Sequence, residues 1–141
     1  IVQQWLAIPE NEEIQIDVHF LKVDANTEID VVRIQQIFTN LLNNAKQAMV
    51  PNKTITIKLM NANNVISIYF IDQGSGISLE DQPYIFERFY RGENKKFSTR
   101  GLGLGLPLSK MMAKSLGGDL VLQKSDETGS TFILSLPETI K

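Results

Sequence analysis

The stretch Gln36-Ile37-Phe38-Thr39-Asn40-Leu41-Leu42-Asn43-Asn44-Ala45-Lys46-Gln47-Ala48-Met49 constrains this chain most. At about 100° per residue it reads as a helix. Ile34, Ile37, Phe38, Leu41, Leu42, Ala45, Ala48 and Met49 share one broad apolar arc. Arg33, Gln36, Asn40, Asn43, Asn44 and Gln47 share another, and only Gln35, Thr39 and Lys46 form an ordinary surface strip. Asn is a poor helix former because its amide competes for nearby backbone groups. Surface helices normally carry Glu, Lys and Arg instead. A row of amides beside a wide apolar face therefore looks like one wall of a polar ligand site.

With 141 residues, the chain is long enough for one domain with a real core. Its net charge of -2 argues against a general nucleic-acid binder, which carries a basic field. There is no cysteine, so disulfides, thiolate metal sites and a cysteine nucleophile are excluded. A single histidine, His19, excludes a multi-histidine metal centre. No apolar run approaches the roughly 18 residues of a membrane-spanning helix, and no signal peptide is recognisable. The chain opens on Ile rather than Met, as a piece of a longer protein would.

Residues 1–13 read as a linker or the end of a preceding helix, and 14–141 as one domain. Residues 14–20 alternate apolar and polar, as a half-buried strand does, with His19 on the polar side. Asp30 suits the N-cap of the amide-rich helix, which should end near Pro51. Residues 54–59 and 65–71 have strand composition, and Asn61-Ala62-Asn63-Asn64 joins them as a hairpin-like loop. Ser78 can cap a short helix over residues 79–86. Residues 92–100 are polar, carry Lys95, Lys96 and Arg100, and should be mobile. A helix follows through Leu116, with Pro107 in its first turn and Gly117 at its stop. Residues 119–124 and 130–136 form a last pair of strands. The expected fold is α+β: a two-layer sandwich, its mixed and mostly antiparallel sheet covered on one face by helices.

Three segments carry chemistry. Asp72-Gln73-Gly74-Ser75-Gly76 ends a strand. A carboxylate there is costly unless it is used or hydrogen-bonded. It can accept from an exocyclic amine such as that of adenine, and Gly74 and Gly76 let the backbone approach a flat ring. Gly101-Leu102-Gly103-Leu104-Gly105-Leu106 has glycine at alternate positions before a helix, so its N–H groups can face an anion. It fits neither the Walker A pattern nor the dinucleotide fingerprint. Between them, Arg91, Lys95, Lys96 and Arg100 could close over phosphates as a lid.

In that order the motifs resemble those of the ATP-binding catalytic domain of bacterial sensor histidine kinases, within the superfamily shared with type II topoisomerases, Hsp90 and MutL. Asn40-Leu41-Leu42-Asn43-Asn44-Ala45 is similar to the N box and Asp72-Gln73-Gly74-Ser75-Gly76-Ile77 to the G1 box. Ile85-Phe86-Glu87-Arg88-Phe89-Tyr90-Arg91 resembles the F box, and residues 101–106 the G2 box. Gly117-Gly118, Gly129-Ser130-Thr131-Phe132 and Leu136-Pro137 look like the family's last strands. The resemblance implies ATP and Mg²⁺ as cofactors. It implies that Asn44 ligates the metal and that Asn40 stands beside it, holding metal-bound water. Asp72 would read the adenine amine, with Gly74, Gly76 and Ile77 at the base pocket and Thr131 supporting Asp72. Tyr90 and Arg91 would flank ribose and phosphates, and Arg100, Gly101, Leu102, Gly103, Leu104, Gly105 and Leu106 would line the phosphates. Where many relatives have Lys, three residues after the metal-binding Asn, this chain has Gln47, so Lys46, Arg91 or lid cations must meet the phosphate charge. The small residue common between the first two glycines is Leu102 here.

Position 40 discriminates among superfamily members. Other branches place there a Glu that activates water; an amide cannot act as general base. The resemblance therefore implies transfer rather than hydrolysis, to a histidine on a separate dimerisation domain of the same parent, with a response regulator downstream. Neither nucleic acid nor membrane contact is expected of the domain itself, and its expected location is the cytoplasm, whether or not the parent is membrane-anchored. His19 lacks the acidic neighbour that usually follows a phosphoacceptor histidine. Two other readings remain open: a nucleotide-gated interaction module or pseudokinase, which Gln47 favours, and an anti-sigma-type serine kinase with the same boxes.

Overall fold

Helix-forming and strand-forming stretches alternate along the chain, and the sheet they build is ordered differently from the sequence. The computed structural model describes residues 6–7, 14–21, 30–48, 54–87 and 105–138. The elements are β1 (Gln15–Leu21), α1 (Val31–Ala48), β2 (Thr54–Ala62), β3 (Val65–Ile71), α2 (Gly105–Ser115), β4 (Asp119–Asp126) and β5 (Gly129–Pro137). The five strands form one sheet in the order β1-β2-β3-β5-β4. β1 runs parallel to β2, and every other pair is antiparallel. This is the mixed, mostly antiparallel sheet expected from the sequence.

Asp30 caps α1 as expected: its Oδ1 accepts from the N–H of Val32 at 3.0 Å and of Arg33 at 3.4 Å. The apolar arc of α1 is its buried face, with Ile34, Ile37, Phe38, Leu41, Leu42 and Ala45 all in the core. Opposite them lie the inward residues of the central strands: Ile55 and Ile57, Ile66, Ile68 and Phe70, then Phe132, Leu134 and Leu136. Phe38 meets Phe70 edge-on with ring centroids 5.0 Å apart, a favoured aromatic geometry. The apolar rows thin out toward β1. Val18 pairs with Ile57 and Phe20 with Leu59, yet Phe20 is 69% exposed. The half-buried strand foreseen at residues 14–20 is thus buried only toward its start, because β1 is an edge strand.

β2 and β3 meet in a two-residue turn at Asn63 and Asn64, both with positive φ, the conformation that a tight hairpin requires. α2 ends in a paired stop: Gly118 N–H donates to Ala113 O at 2.9 Å and Gly117 N–H to Lys114 O at 3.0 Å, the Schellman arrangement. The helix foreseen over residues 79–86 is only a 3₁₀ turn at Gln82–Tyr84. Pro83 has no N–H to donate to a longer ladder, and Ser78 turns the chain instead, its carbonyl accepting from Asp81 and Gln82 at 3.0 Å. The expected lid, residues 91–100, and the proposed linker apart from residues 6–7 lie outside the described residues.

Candidate functional site

The site forms where α1, the end of β3 and the β4–β5 hairpin converge. Asp72 immediately follows β3 and is 5% exposed. Its Oδ1 accepts from Gly74 N–H at 2.9 Å and from Ser130 N–H at 3.1 Å, while its own N–H donates to Ser130 O at 2.9 Å. The carboxylate thus continues the β3–β5 ladder past the end of the strand. These bonds anchor the carboxylate at the end of the ladder. Gln73 faces the other way and fixes the start of β2, its Oε1 accepting from Thr54 N–H at 3.0 Å.

The loop after Asp72 is pressed onto its neighbours. Ser75 N–H donates to Ala48 O, in the last turn of α1, at 3.2 Å. A Cβ on Gly74 would stand 2.4 Å from that same Ala48 O. Gly76, with φ of +80°, would place a Cβ 1.9 Å from Asp126 O. Across the hairpin, a Cβ on Gly129 would stand 2.0 Å from Asp72 O. Close approach of two backbones, at a φ that side chains avoid, is what reserves Gly76 and Gly129 for glycine.

A cavity of about 180 Å³ opens in this junction, lined by Asn44, Gln47, Ala48, Asp72, Ser75, Gly76, Ile77 and Ser130. It brings together Asn44, Gln47, Asp72, Gly76 and Ile77 from the sequence expectation. It is below the roughly 300 Å³ at which pockets for drug-sized ligands begin, a size for one end of a nucleotide rather than all of it. None of these lining residues is cationic, so a phosphate charge would have to be met elsewhere. Lys46 is half-buried and is not among the lining residues. Beside the cavity, the Thr128 hydroxyl and N–H hold the Asp126 carboxyl below the usual range, which fixes the turn whose backbone touches Gly76.

The register decides which of the two adjacent hydroxyl residues lies beside Asp72. Thr131 pairs with Ile71, on the face of β5 away from the buried Phe132 and Leu134. Successive strand residues point to opposite faces, so Ser130, not Thr131, stands beside Asp72. The alternation of Phe132, Leu134 and Leu136 carried that signal in the sequence.

Asn40 lies one turn before Asn44 and joins the two helices. Its Nδ2 donates to Ser109 Oγ at 3.0 Å and to Gly105 O at 3.4 Å, and its Oδ1 accepts from Gln36 at 3.1 Å. Ser109 is fully buried, so this bond satisfies a hydroxyl inside the helix pair. Gly105 opens α2 and is exposed, whereas Leu106 packs its side chain against the core. Tyr90, Arg91, Arg100, Gly101, Leu102, Gly103 and Leu104 lie outside the described residues.

Asn44 offers a neutral amide oxygen, the hard donor that suits Mg²⁺. Among the described residues no three His, Cys, Asp or Glu side chains gather as a metal cage. Among the same residues, no helix is long and apolar enough to cross a membrane.

The family described as histidine kinase-, DNA gyrase B-, and HSP90-like ATPases matches residues 29–140. The chain is 31% identical over 128 residues to the sensor protein KdpD of Clostridium acetobutylicum, covering 86% of this chain and 14% of that protein. It is 33% identical over 110 residues to the sensor protein SrrB of Staphylococcus aureus, covering 77% of this chain and 19% of that protein. The chain thus spans less than a fifth of those relatives. In fold it is similar to a mycobacterial sensor histidine kinase, MprB, with a TM-score of 0.83, 22% identity and 99% and 92% of the two chains covered. The catalytic domain of the histidine kinase ThkA superposes with a TM-score of 0.80 at 24% identity, again covering 99% and 92%. The chain belongs to the family of histidine kinase-, DNA gyrase B- and HSP90-like ATPases, which binds ATP.

Proposed function

We propose that the chain binds Mg-ATP and donates its γ-phosphoryl group to a histidine on a separate dimerisation domain of the same parent protein, with a response regulator downstream. The observation that carries this reading is the cavity shared by Asn44, Asp72, Gly76 and Ile77. Asp72 accepts the adenine amine, and the backbone at Gly76 and the side of Ile77 cover the ring. Asn44 ligates Mg²⁺ through its amide oxygen, and the metal, when bound, neutralises charge on the β- and γ-phosphates. Gly105 begins α2, whose N-terminal dipole favours the phosphates. In the transfer an imidazole nitrogen forms a bond to the γ-phosphorus while the bond to the bridging β,γ-oxygen breaks, and ADP leaves. Asn40 has no carboxylate with which to deprotonate water, which favours transfer over hydrolysis. His19 is exposed on β1, and we do not assign it as acceptor. The domain works in the cytoplasm, where its ATP is.

Gln47 supports a second reading. It lines the cavity as a neutral side chain, so a nucleotide-gated module that binds without transferring is the competing function. Titration of ATP into the chain with and without Mg²⁺ tests the site: binding should require Mg²⁺, and Asn44→Ala should weaken it at least tenfold while the far-UV spectrum stays unchanged. Equal affinity in the variant would refute the metal role. Adding the parent's histidine-bearing domain with γ-labelled ATP separates the readings, because label on that domain is expected of a kinase and not of a module.

A further inference from the structure

α2 is gripped at two adjacent residues by different neighbours. Asn40 of α1 holds Ser109 Oγ at 3.0 Å. Lys110 is taken by β4, at the edge of the sheet. Its Nζ donates to Leu120 O at 2.9 Å and stands 3.4 Å from Asp119 Oδ1. The same ammonium lies 4.6 Å from the centroid of the Phe86 ring, within the range of a cation–π contact. Phe86 is set edge-on against Phe132 of β5, with centroids 6.3 Å apart. Leu120 is fully buried, and the Lys110 side chain is 29% exposed. A surface lysine normally keeps its ammonium in water. One spent on a backbone carbonyl, a carboxylate and a ring at once has a positional task. Lys114, one turn on, is the contrast: it is 60% exposed and meets Asp119 at 3.9 Å. Chain order adds to this. Phe86 stands just before residues 88–104, and α2 just after them. That stretch carries Arg91, Arg100 and the glycines that the resemblance sets at the phosphates, so both elements that flank it are fastened to one ammonium.

We propose that Lys110 is a positioning residue for the phosphate end of the site: by fastening α2 to β4 and to Phe86, it aims the first turn of α2 at the phosphates of the nucleotide. This rests on the ATP reading above, in which the N-terminus of α2 favours the phosphates. The effect of a helix terminus falls off within its first turn, so it depends on where the helix points. Adjacent residues held by α1 on one side and β4 on the other fix both the roll and the tilt of α2. The base end is built separately. The residues that line the Asp72 cavity come from α1, the loop after β3, and β5, so a change in α2 leaves them in place. Loss of the Lys110 ammonium therefore acts on phosphates and not on the base.

The test is titration of Mg-ATP and of adenosine into the chain and into Lys110→Met, Lys110→Arg, Lys114→Met and Phe86→Leu, with adenosine binding followed by NMR shifts. Lys110→Met keeps the apolar stem and removes the ammonium. It should weaken Mg-ATP about fivefold, the order that a helix N-terminus contributes toward an anion, and leave adenosine unchanged. Lys110→Arg should restore Mg-ATP binding, because a guanidinium also donates to oxygen and stacks on rings. Lys114→Met loses the same charge one turn away and should bind both ligands as the parent does. Unchanged Mg-ATP affinity in Lys110→Met overturns the proposal. So does an equal fall for adenosine, which would mean a general loosening of the fold. An equal fall in Lys114→Met also overturns it, because net charge alone would then be acting. Should Lys110→Met not fold, Phe86→Leu decides. It keeps apolar packing, removes the ring face, and should weaken Mg-ATP about threefold with adenosine unchanged; unaltered Mg-ATP binding overturns the role. A chain that binds neither Mg-ATP nor adenosine fails the nucleotide reading itself. A chain that binds both, and does so equally well in Lys110→Met, fails only the role of Lys110.

Discussion

Gly76 carries two constraints that a ligand-based reading of its motif does not separate. The sequence suggests that Gly74 and Gly76 free the backbone to approach a flat ring. The structure adds that Gly74 and Gly76 lie against protein atoms, Ala48 O and Asp126 O. They hold the loop between α1 and the β4–β5 turn, whether or not a ligand is bound. Gly76→Ala should therefore lower stability by about 2–4 kcal/mol, from left-handed strain and steric overlap together, read as a lower urea midpoint in the absence of nucleotide. A midpoint within experimental error of the parent would mean that the turn yields freely. Asp72 was legible because a carboxylate at the end of an apolar strand needs a reason. Ser130 carries no signal of its own in the sequence, although β5 has the alternation that points it inward. The motif Gly129-Ser130-Thr131-Phe132 offers two hydroxyls, and only the register with Ile71 decides between them.

The amide face of α1 was the most legible element, and its two ends have different employment. Asn44 and Gln47 line the cavity; Asn40 is spent on α2, through Ser109 and Gly105. Helical periodicity places all three on one arc, but it cannot say which part of the arc meets a second helix more than sixty positions away in sequence. The same limit explains the short turn at Gln82–Tyr84, where a capping Ser78 suggested a helix and Pro83 ended it within three residues. Removing the Asn40 amide leaves the buried Ser109 hydroxyl without this donor. Asn40→Ala should cost about 1–2 kcal/mol. In a double-mutant cycle with Ser109→Ala, the coupling should be about 0.5–1.5 kcal/mol. Strict additivity in urea unfolding would show that the two helices are held by apolar packing alone.

At the scale of the whole molecule, local patterns foretold strands, helices and a helix-covered sheet, but not the insertion of β5 between β3 and β4. That order matters to the site. It brings Ser130 beside Asp72, although they are separated by 58 positions. It also sets the β4–β5 turn against the loop after β3. The cavity therefore joins groups from the first helix, the middle strand and the last hairpin, and a ligand seated there ties these elements together. Binding to the folded state alone stabilises it by about 2.7 kcal/mol when free ligand is a hundredfold above its dissociation constant. At roughly 3 °C per kcal/mol for a chain of this size, Mg-ATP at that excess should raise the melting temperature by about 8 °C. Asn44→Ala at the same nucleotide concentration should lose most of that rise under the proposed metal role of Asn44. Asp72→Asn should lose more of the rise with Mg-ATP than with Mg-GTP, because its effect is confined to the base. Equal losses with both nucleotides would move Asp72 from base recognition to support of the β3–β5 ladder, where its Oδ1 is already engaged.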